Sequence, residues 1–184
     1  MKIYFSRHGE SINNTKNIIG GDSCLSENGK KYSNNLKDYF KDHKKLKILT
    51  SKLKRTIQTV EKIDAPKQHL EELNEIYSGD FENLNLDFIK KEYHDIYTFR
   101  NEDKINRSYP NGESYNDLQK RVNKVLEKID LNEDGTLLII SHQAVSRIIY
   151  SFFTKEKLDP NMKIELNMLY KLDNNKNKFQ TIFV

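Results

Sequence analysis

Cysteine is nearly missing from this 184-residue chain, tryptophan is missing altogether, and no apolar run is long. A single cysteine, Cys24, excludes an internal disulfide and suits a reducing compartment. Its simplest reading is a small residue in a loop. No stretch of about 18 apolar residues occurs, so no membrane-spanning helix is expected. The N-terminus reads as a strand ending in a charged residue, not as a signal peptide. A cytoplasmic protein with no membrane partner is expected. No Cys/His cluster and no carboxylate pair stands at metal-ligand spacing, so neither a metal nor another cofactor is expected. Hydrophobic residues are scarce at 36%, with a mean hydropathy of −0.82. Lys and Asn account for this by filling surface positions on an otherwise regular pattern.

The net charge of +4 is mild, and the lysines are scattered rather than clustered. Nucleic acid is therefore not an expected partner. The length suits one domain, residues 1–184, large enough for a sizeable core. Short apolar runs alternate with helical patterns. Expected strands are 2–6, 46–50, about 68–73, 136–141, 164–171 and 178–183; expected helices are 26–42, 52–63, 86–99, 113–129 and 143–153. Ser26 can cap the first helix, although Gly29 three residues later rules out a capping box. In the 113–129 segment, Tyr115, Leu118, Val122, Val125, Leu126 and Ile129 share one face. The last two strands flank Asp173-Asn174-Asn175-Lys176-Asn177, which reads as a hairpin turn. The expected fold is α/β and three-layered, a mostly parallel sheet with helices on both faces.

Four of the expected strands end in groups that handle phosphate. The first runs into Arg7-His8-Gly9-Glu10-Ser11-Ile12-Asn13-Asn14. Imidazole can take up a phosphoryl group, and guanidinium binds phosphate oxygens through two parallel hydrogen bonds. The second strand leads through Thr50-Ser51 to Arg55, the third to Glu75, and the fourth to His142. Ligands in open α/β sheets bind beyond the carboxyl ends of the strands. Arginine usage points the same way. Only six of the 31 basic residues are Arg, and Arg7, Arg55 and Arg147 lie in or beside these segments. Arg107 and Arg121 read as surface or packing residues.

Further segments narrow the pattern: Ile19-Gly20-Gly21-Asp22-Ser23, Lys54-Arg55-Thr56-Ile57-Gln58-Thr59, Leu73-Asn74-Glu75-Ile76, Tyr109-Pro110, Gly112-Glu113-Ser114-Tyr115 and Ser141-His142-Gln143-Ala144-Val145. In this order and spacing the chain resembles the histidine phosphatase (phosphoglycerate mutase-like) superfamily. Within it, the chain is most like the fructose-2,6-bisphosphatase domain of the bifunctional 6-phosphofructo-2-kinase/fructose-2,6-bisphosphatase enzymes. The kinase half has no counterpart, since no G-x-x-x-x-G-K-[ST] occurs.

The resemblance implies a set of roles. His8 would be the nucleophile, with Arg7, Arg55 and His142 binding the transferred phosphoryl group and Asn14 and Gln143 beside them. Gly20 would let the backbone approach the substrate. Glu75 would protonate the leaving sugar oxygen and then activate water. Arg100, Lys104, Tyr115 and Arg147 would hold the 6-phosphate of a small phosphorylated sugar. The chain departs from the pattern in three places. Leu86 stands where the family has a substrate-binding Tyr, and Asn106 and Ser108 replace basic residues. Leu86 favours the alternative of a broader phosphomonoester phosphatase of the same superfamily. A phosphoglycerate mutase usually has Trp where this chain has Asn13. A catalytically inactive binding domain would not be expected to keep His8, Glu75 and His142.

Overall fold

The computed structural model describes residues 1–173 and 177–184. Six strands form a single sheet: β1 (Lys2–Arg7), β2 (Leu46–Thr50), β3 (Lys67–His69), β4 (Thr136–Ser141), β5 (Leu169–Asp173) and β6 (Lys178–Ile182). Their spatial order is β3-β2-β4-β1-β5-β6. The first four strands are parallel, whereas β5 runs antiparallel to β1 and β6 antiparallel to β5. The helices are α1 (Ile12–Thr15), α2 (Glu27–Phe40), α3 (Lys54–Val60), α4 (Leu86–Glu92), α5 (His94–Glu102), α6 (Tyr115–Leu126) and α7 (Gln143–Thr154). Among the described residues, no helix is long and apolar enough to cross a membrane.

The period of two along each strand makes the three layers. Ile3, Phe5, Leu137 and Ile139 pack against Leu118 and Val122 of α6 and Val145 and Ile148 of α7. The alternate residues Tyr4, Ile48, Leu138 and Ile140 pack against Tyr32, Leu36 and Phe40 of α2 and Val60 of α3. Every residue of β4 is buried, because helices cover both its faces. This is the α/β, helix-on-both-faces architecture that the alternating pattern implies.

The ends of the helices explain local choices in the sequence. Ser26 caps α2, its hydroxyl accepting the Gly29 N–H at 3.2 Å. A Cβ at Gly29 would lie 2.1 Å from the Glu10 carbonyl oxygen. The glycine that rules out a capping box is thus the residue that seats α2 against the loop behind His8. At α6 a capping box does form, between Ser114 and Asp117.

Several expected elements differ in extent. The 68–73 strand is only Lys67–His69, followed by a 3-10 turn at Glu71–Leu73 that buries Leu73 after two exposed glutamates. The 164–171 strand begins at Leu169, after Asn167 at φ 56°, although Ile164 is buried as a core residue. The 52–63 helix shortens to Lys54–Val60. The 86–99 helix is two helices, broken at Tyr93, whose ring packs 5.3 Å from Phe81. The short α1, capped by Ser11 with Asn14, has no counterpart among the expected helices. The hairpin turn expected over 173–177 includes 174–176, which lie outside the described residues; the strands on either side of it pair as expected.

Candidate active site

Strand order brings the reactive groups together. β1 and β4 are neighbours, with Arg7 opposite Ser141. The next residue on each strand is a histidine, so His8 and His142 leave the sheet side by side, ring centres 5.1 Å apart. β2 flanks β4 on the other side and leads, through Ser51, to Arg55 in the first turn of α3. Arg55 Nε donates to His8 Nε2 at 3.1 Å and lies 3.3 Å from His142 Nδ1. Its Nη1 donates to the Gly21 carbonyl at 2.6 Å.

These bonds set the tautomers. His8 Nδ1 lies 2.7 Å from the Gly9 carbonyl and so carries the proton, which leaves a lone pair on Nε2. His142 Nε2 bonds Ser51 Oγ at 2.8 Å, and Ser51 Oγ in turn bonds Thr56 Oγ1 at 2.8 Å. Both rings are buried, with exposures of 3% and 0%. Burial first, then the Arg55 guanidinium, pushes both imidazole pKa values well below the usual range. Both histidines are therefore neutral at physiological pH. Burial also lowers the pKa of Arg7 and of Arg55, yet a guanidinium keeps its proton in a protein. A neutral imidazole nitrogen facing two fixed cations is what a phosphoryl acceptor requires.

Glu75 arrives by a different route from the one expected. It follows the 3-10 turn rather than a strand end. Its carboxylate accepts the N–H groups of Gln143 at 3.0 Å and Ala144 at 3.2 Å, the first two residues of α7, and of Ile76 at 3.0 Å. Free N–H groups at a helix start suit an anionic head group. The main chain of this loop is gripped by Arg121. Its guanidinium donates to the carbonyls of Glu72 (2.8 Å), Asn74 (2.7 Å) and Glu75 (2.9 Å). The same group pairs with both Glu113 oxygens at 2.8 and 2.7 Å. The surface or packing role expected of Arg121 is therefore too weak a description: it positions the Glu75 loop. The scarcity of arginine was the one sequence signal that could have found it.

A cavity of about 370 Å³ opens over these groups. Of the candidate site residues, Arg7, His8, Asn14, Gly20, Arg55, Glu75, Arg100, Lys104, Tyr115, Gln143 and Arg147 all line it. His142 does not reach the wall and sits fully buried beside His8. Gly20 adopts φ 65°, and a Cβ there would lie 2.2 Å from a Glu82 carboxylate oxygen. Its glycine is thus required by the turn and by Glu82. The cavity wall carries five cations, Arg7, Arg55, Arg100, Lys104 and Arg147, against one carboxylate, Glu75. A wider groove of about 580 Å³, walled by Leu49, Val125 and Leu137 among others, holds none of these groups.

The cations away from His8 are arranged by α5 and α7. The Arg100 guanidinium stacks over the Tyr109 ring at 3.9 Å. Arg147 donates to the Tyr115 hydroxyl at 2.5 Å and to the Met162 carbonyl at 2.6 Å. Lys104 donates to Asn161 Oδ1 at 2.6 Å. Arg7 Nε and Arg100 Nε are buried N–H donors without a hydrogen-bond partner. Buried donors are seldom left unpaired, and two of them on one cavity wall suit an anion bound there. Among the described residues, no group of three His, Cys, Asp or Glu side chains is placed to hold a metal ion.

A family model for the histidine phosphatase superfamily (branch 1) matches residues 3–182, and the chain belongs to that superfamily. Membership implies a phosphatase acting on a small phosphorylated substrate. Among curated proteins, the chain is 38% identical over 174 residues, 92% of its length, to 6-phosphofructo-2-kinase/fructose-2,6-bisphosphatase 1 of Rattus norvegicus. It is 39% identical, also over 174 residues, to 6-phosphofructo-2-kinase/fructose-2,6-bisphosphatase 3 of the same species. The matches take up 36% and 31% of those proteins, so the chain spans about a third of their length. Among solved structures it resembles the α-ribazole phosphatase from Shigella flexneri, with a TM-score of 0.85 at 21% identity, covering 100% of this chain and 96% of that one. Bacillus stearothermophilus YhfR gives a TM-score of 0.83 at 23% identity, covering 99% and 95%. At these identities the structural likeness is one of fold.

Proposed function

We propose that the protein hydrolyses the 2-phosphate of fructose 2,6-bisphosphate, giving fructose 6-phosphate and phosphate through a phosphohistidine at His8. The observation that carries this reading is the cavity with two groups of cations, Arg7 and Arg55 beside His8, and Arg100, Lys104 and Arg147 on α5, its following loop and α7. Such a wall suits a small sugar bearing two phosphates. The identity to the fructose-2,6-bisphosphatase relatives supports the same substrate.

In this mechanism His8 Nε2 attacks phosphorus as the bond from phosphorus to the sugar C2 oxygen breaks. Arg7 and Arg55 hold the phosphoryl oxygens, with Asn14 and Gln143 beside them and His142 buried behind as the acceptor that positions Arg55, while charge builds in the transition state. Glu75, in the acid form that the water step below restores, gives its proton to the departing sugar oxygen. Water then attacks the phosphohistidine and loses a proton to Glu75. The phosphorus–nitrogen bond breaks, its electron pair returns to Nε2, and phosphate leaves. Arg100, Lys104, Tyr115 and Arg147 hold the 6-phosphate throughout, and Gly20 shapes the loop that closes the wall.

Turnover of a panel tests this: fructose 2,6-bisphosphate, sugar monophosphates and p-nitrophenyl phosphate. Fructose 2,6-bisphosphate should show the highest kcat/KM. Near-equal kcat/KM across the panel would favour the second reading, a broad phosphomonoester phosphatase, to which apolar Leu86 on the cavity wall lends support. No turnover of any ester would overturn both.

A further inference from the structure

We propose that Tyr97 is a substrate-binding residue, the hydroxyl donor on the wall of the cavity away from His8, where Leu86 offers none. This rests on reading the cavity as the substrate site. Tyr97 lies on α5, three residues before Arg100 and four before Asn101, and all three line the cavity. That spacing places them on one helix face. The rest of the helix points away: Ile96 is 44% and Phe99 58% exposed.

The Tyr97 hydroxyl has nothing else to do. Its main-chain carbonyl accepts from Asn101 Nδ2 at 2.8 Å, but among the described residues the phenol has no hydrogen-bond partner. The hydroxyls of Tyr115 and Tyr32 are engaged. Tyr115 accepts from Arg147 at 2.5 Å, and Tyr32 bonds Ser6 Oγ at 2.7 Å. A half-buried tyrosine on a polar wall ordinarily uses its O–H.

Its surroundings identify the ligand chemistry. Tyr97 and Tyr109 both line the cavity, as does Arg100. The Tyr109 ring lies beneath the Arg100 guanidinium, whose Nε is buried and unpaired. A phenol O–H on the same cavity wall as an unpaired guanidinium N–H suits an anionic oxygen, as on the phosphate of a sugar phosphate. Leu86 lines the same cavity from the first turn of α4 and has no donor. The break at Tyr93 separates α4 from α5, and each helix contributes its own residue to the wall.

Titration calorimetry with fructose 6-phosphate, on the wild type and on Tyr97→Phe, tests the assignment directly. A hydrogen bond to a charged group corresponds to roughly a 10–150-fold change in affinity. Tyr97→Phe should weaken fructose 6-phosphate binding by that range while keeping its melting temperature. The KM for fructose 2,6-bisphosphate should rise in parallel, with kcat changing far less. Leu86→Tyr added to Tyr97→Phe should recover part of the lost affinity, by offering a donor from the neighbouring helix. Unchanged affinity in Tyr97→Phe would overturn the proposal, as would failure of the wild type to bind fructose 6-phosphate. Failure of the wild type to turn over fructose 2,6-bisphosphate would refute the proposed reaction instead. A Tyr97-dependent affinity for fructose 6-phosphate would still uphold the role of Tyr97.

Discussion

On the His8 side of the cavity, four side chains are tied to partners that the sheet or a helix start fixes, while Arg7 Nε is left unpaired among the described residues. His8 bonds its own loop, His142 bonds Ser51, Arg55 bonds Gly21, and Glu75 bonds the first turn of α7. On the Arg100 side, part of the wall comes from α4 and α5, two short helices with outer faces that expose Phe88, Ile96 and Phe99. There, among the described residues, Arg100 Nε and the Tyr97 hydroxyl have no hydrogen-bond partner, whereas Arg147 and Lys104 do. The contrast teaches where change is cheap. A substitution at His142 or Arg55 breaks several buried hydrogen bonds at once, whereas one at the partly exposed Leu86 or Tyr97 breaks no side-chain hydrogen bond among the described residues. Chemistry and specificity can therefore vary separately in this architecture.

The contrast is broken most severely at His8. His8→Ala should lower hydrolysis by roughly 10⁴–10⁶-fold, the scale of losing a covalent nucleophile. It should also abolish acid-labile, base-stable labelling by substrate carrying a labelled 2-phosphate in rapid-quench experiments. Labelling that persists would move the nucleophile elsewhere. Glu75→Gln comes next. Gln keeps the shape but has no carboxylic proton, so kcat should fall roughly 10²–10⁴-fold. Steady-state kinetics decides, since an effect confined to KM would reduce Glu75 to a binding group.

Arg121→Lys tests whether the rigidity of the His8 side matters. A lysine ammonium cannot span Glu113 and three carbonyls as the guanidinium fork does. Glu75 should then drift, and kcat should fall by up to about 10²-fold, the scale of an ångström misplacement. KM should change much less. Equal losses in kcat for Arg121→Lys and Arg121→Ala with an unshifted KM would support positioning; a KM effect alone would not.

The smallest effect is one of pH on stability. His8 and His142 have folded pKa values below the unfolded value, so above about pH 6.5 both states hold them neutral. As the pH falls below that point the unfolded chain binds protons that the folded one refuses, and stability declines toward the folded pKa values. Each histidine contributes at most about 1.4 kcal/mol per pH unit. Denaturant midpoints between neutral and mildly acidic pH should fall, and the slope should be shallower in His8→Ala. An identical slope in both proteins would contradict the burial of a neutral imidazole. Among the described residues, no histidine lines the Arg100 side of the cavity.

Much of the sheet was legible because its signals are local. The apolar runs over 2–6, 46–50 and 136–141 marked β1, β2 and β4 within a residue of their bounds. The elements misjudged are those decided by distant contacts. Tyr93 breaks one helical pattern into two where its ring meets Phe81, and the strand before Glu75 ends early where Leu73 turns into the core. Arg121 looked ordinary because its partners, the carbonyls of Glu72, Asn74 and Glu75, lie 46 to 49 residues away. Tyr97 drew no notice, since a tyrosine three residues before an arginine has many uses.

The sequence by itself determined which residue types stand at the strand ends, because strand periodicity and the placement of scarce arginines are written along the chain. Only the tertiary structure decided their chemistry. The order β2-β4-β1 sets Arg55 between two histidines that lie 134 positions apart, and burial there strips both imidazoles of their protons. A pKa depends on the local dielectric and on neighbouring charge, and neither exists until the chain has folded.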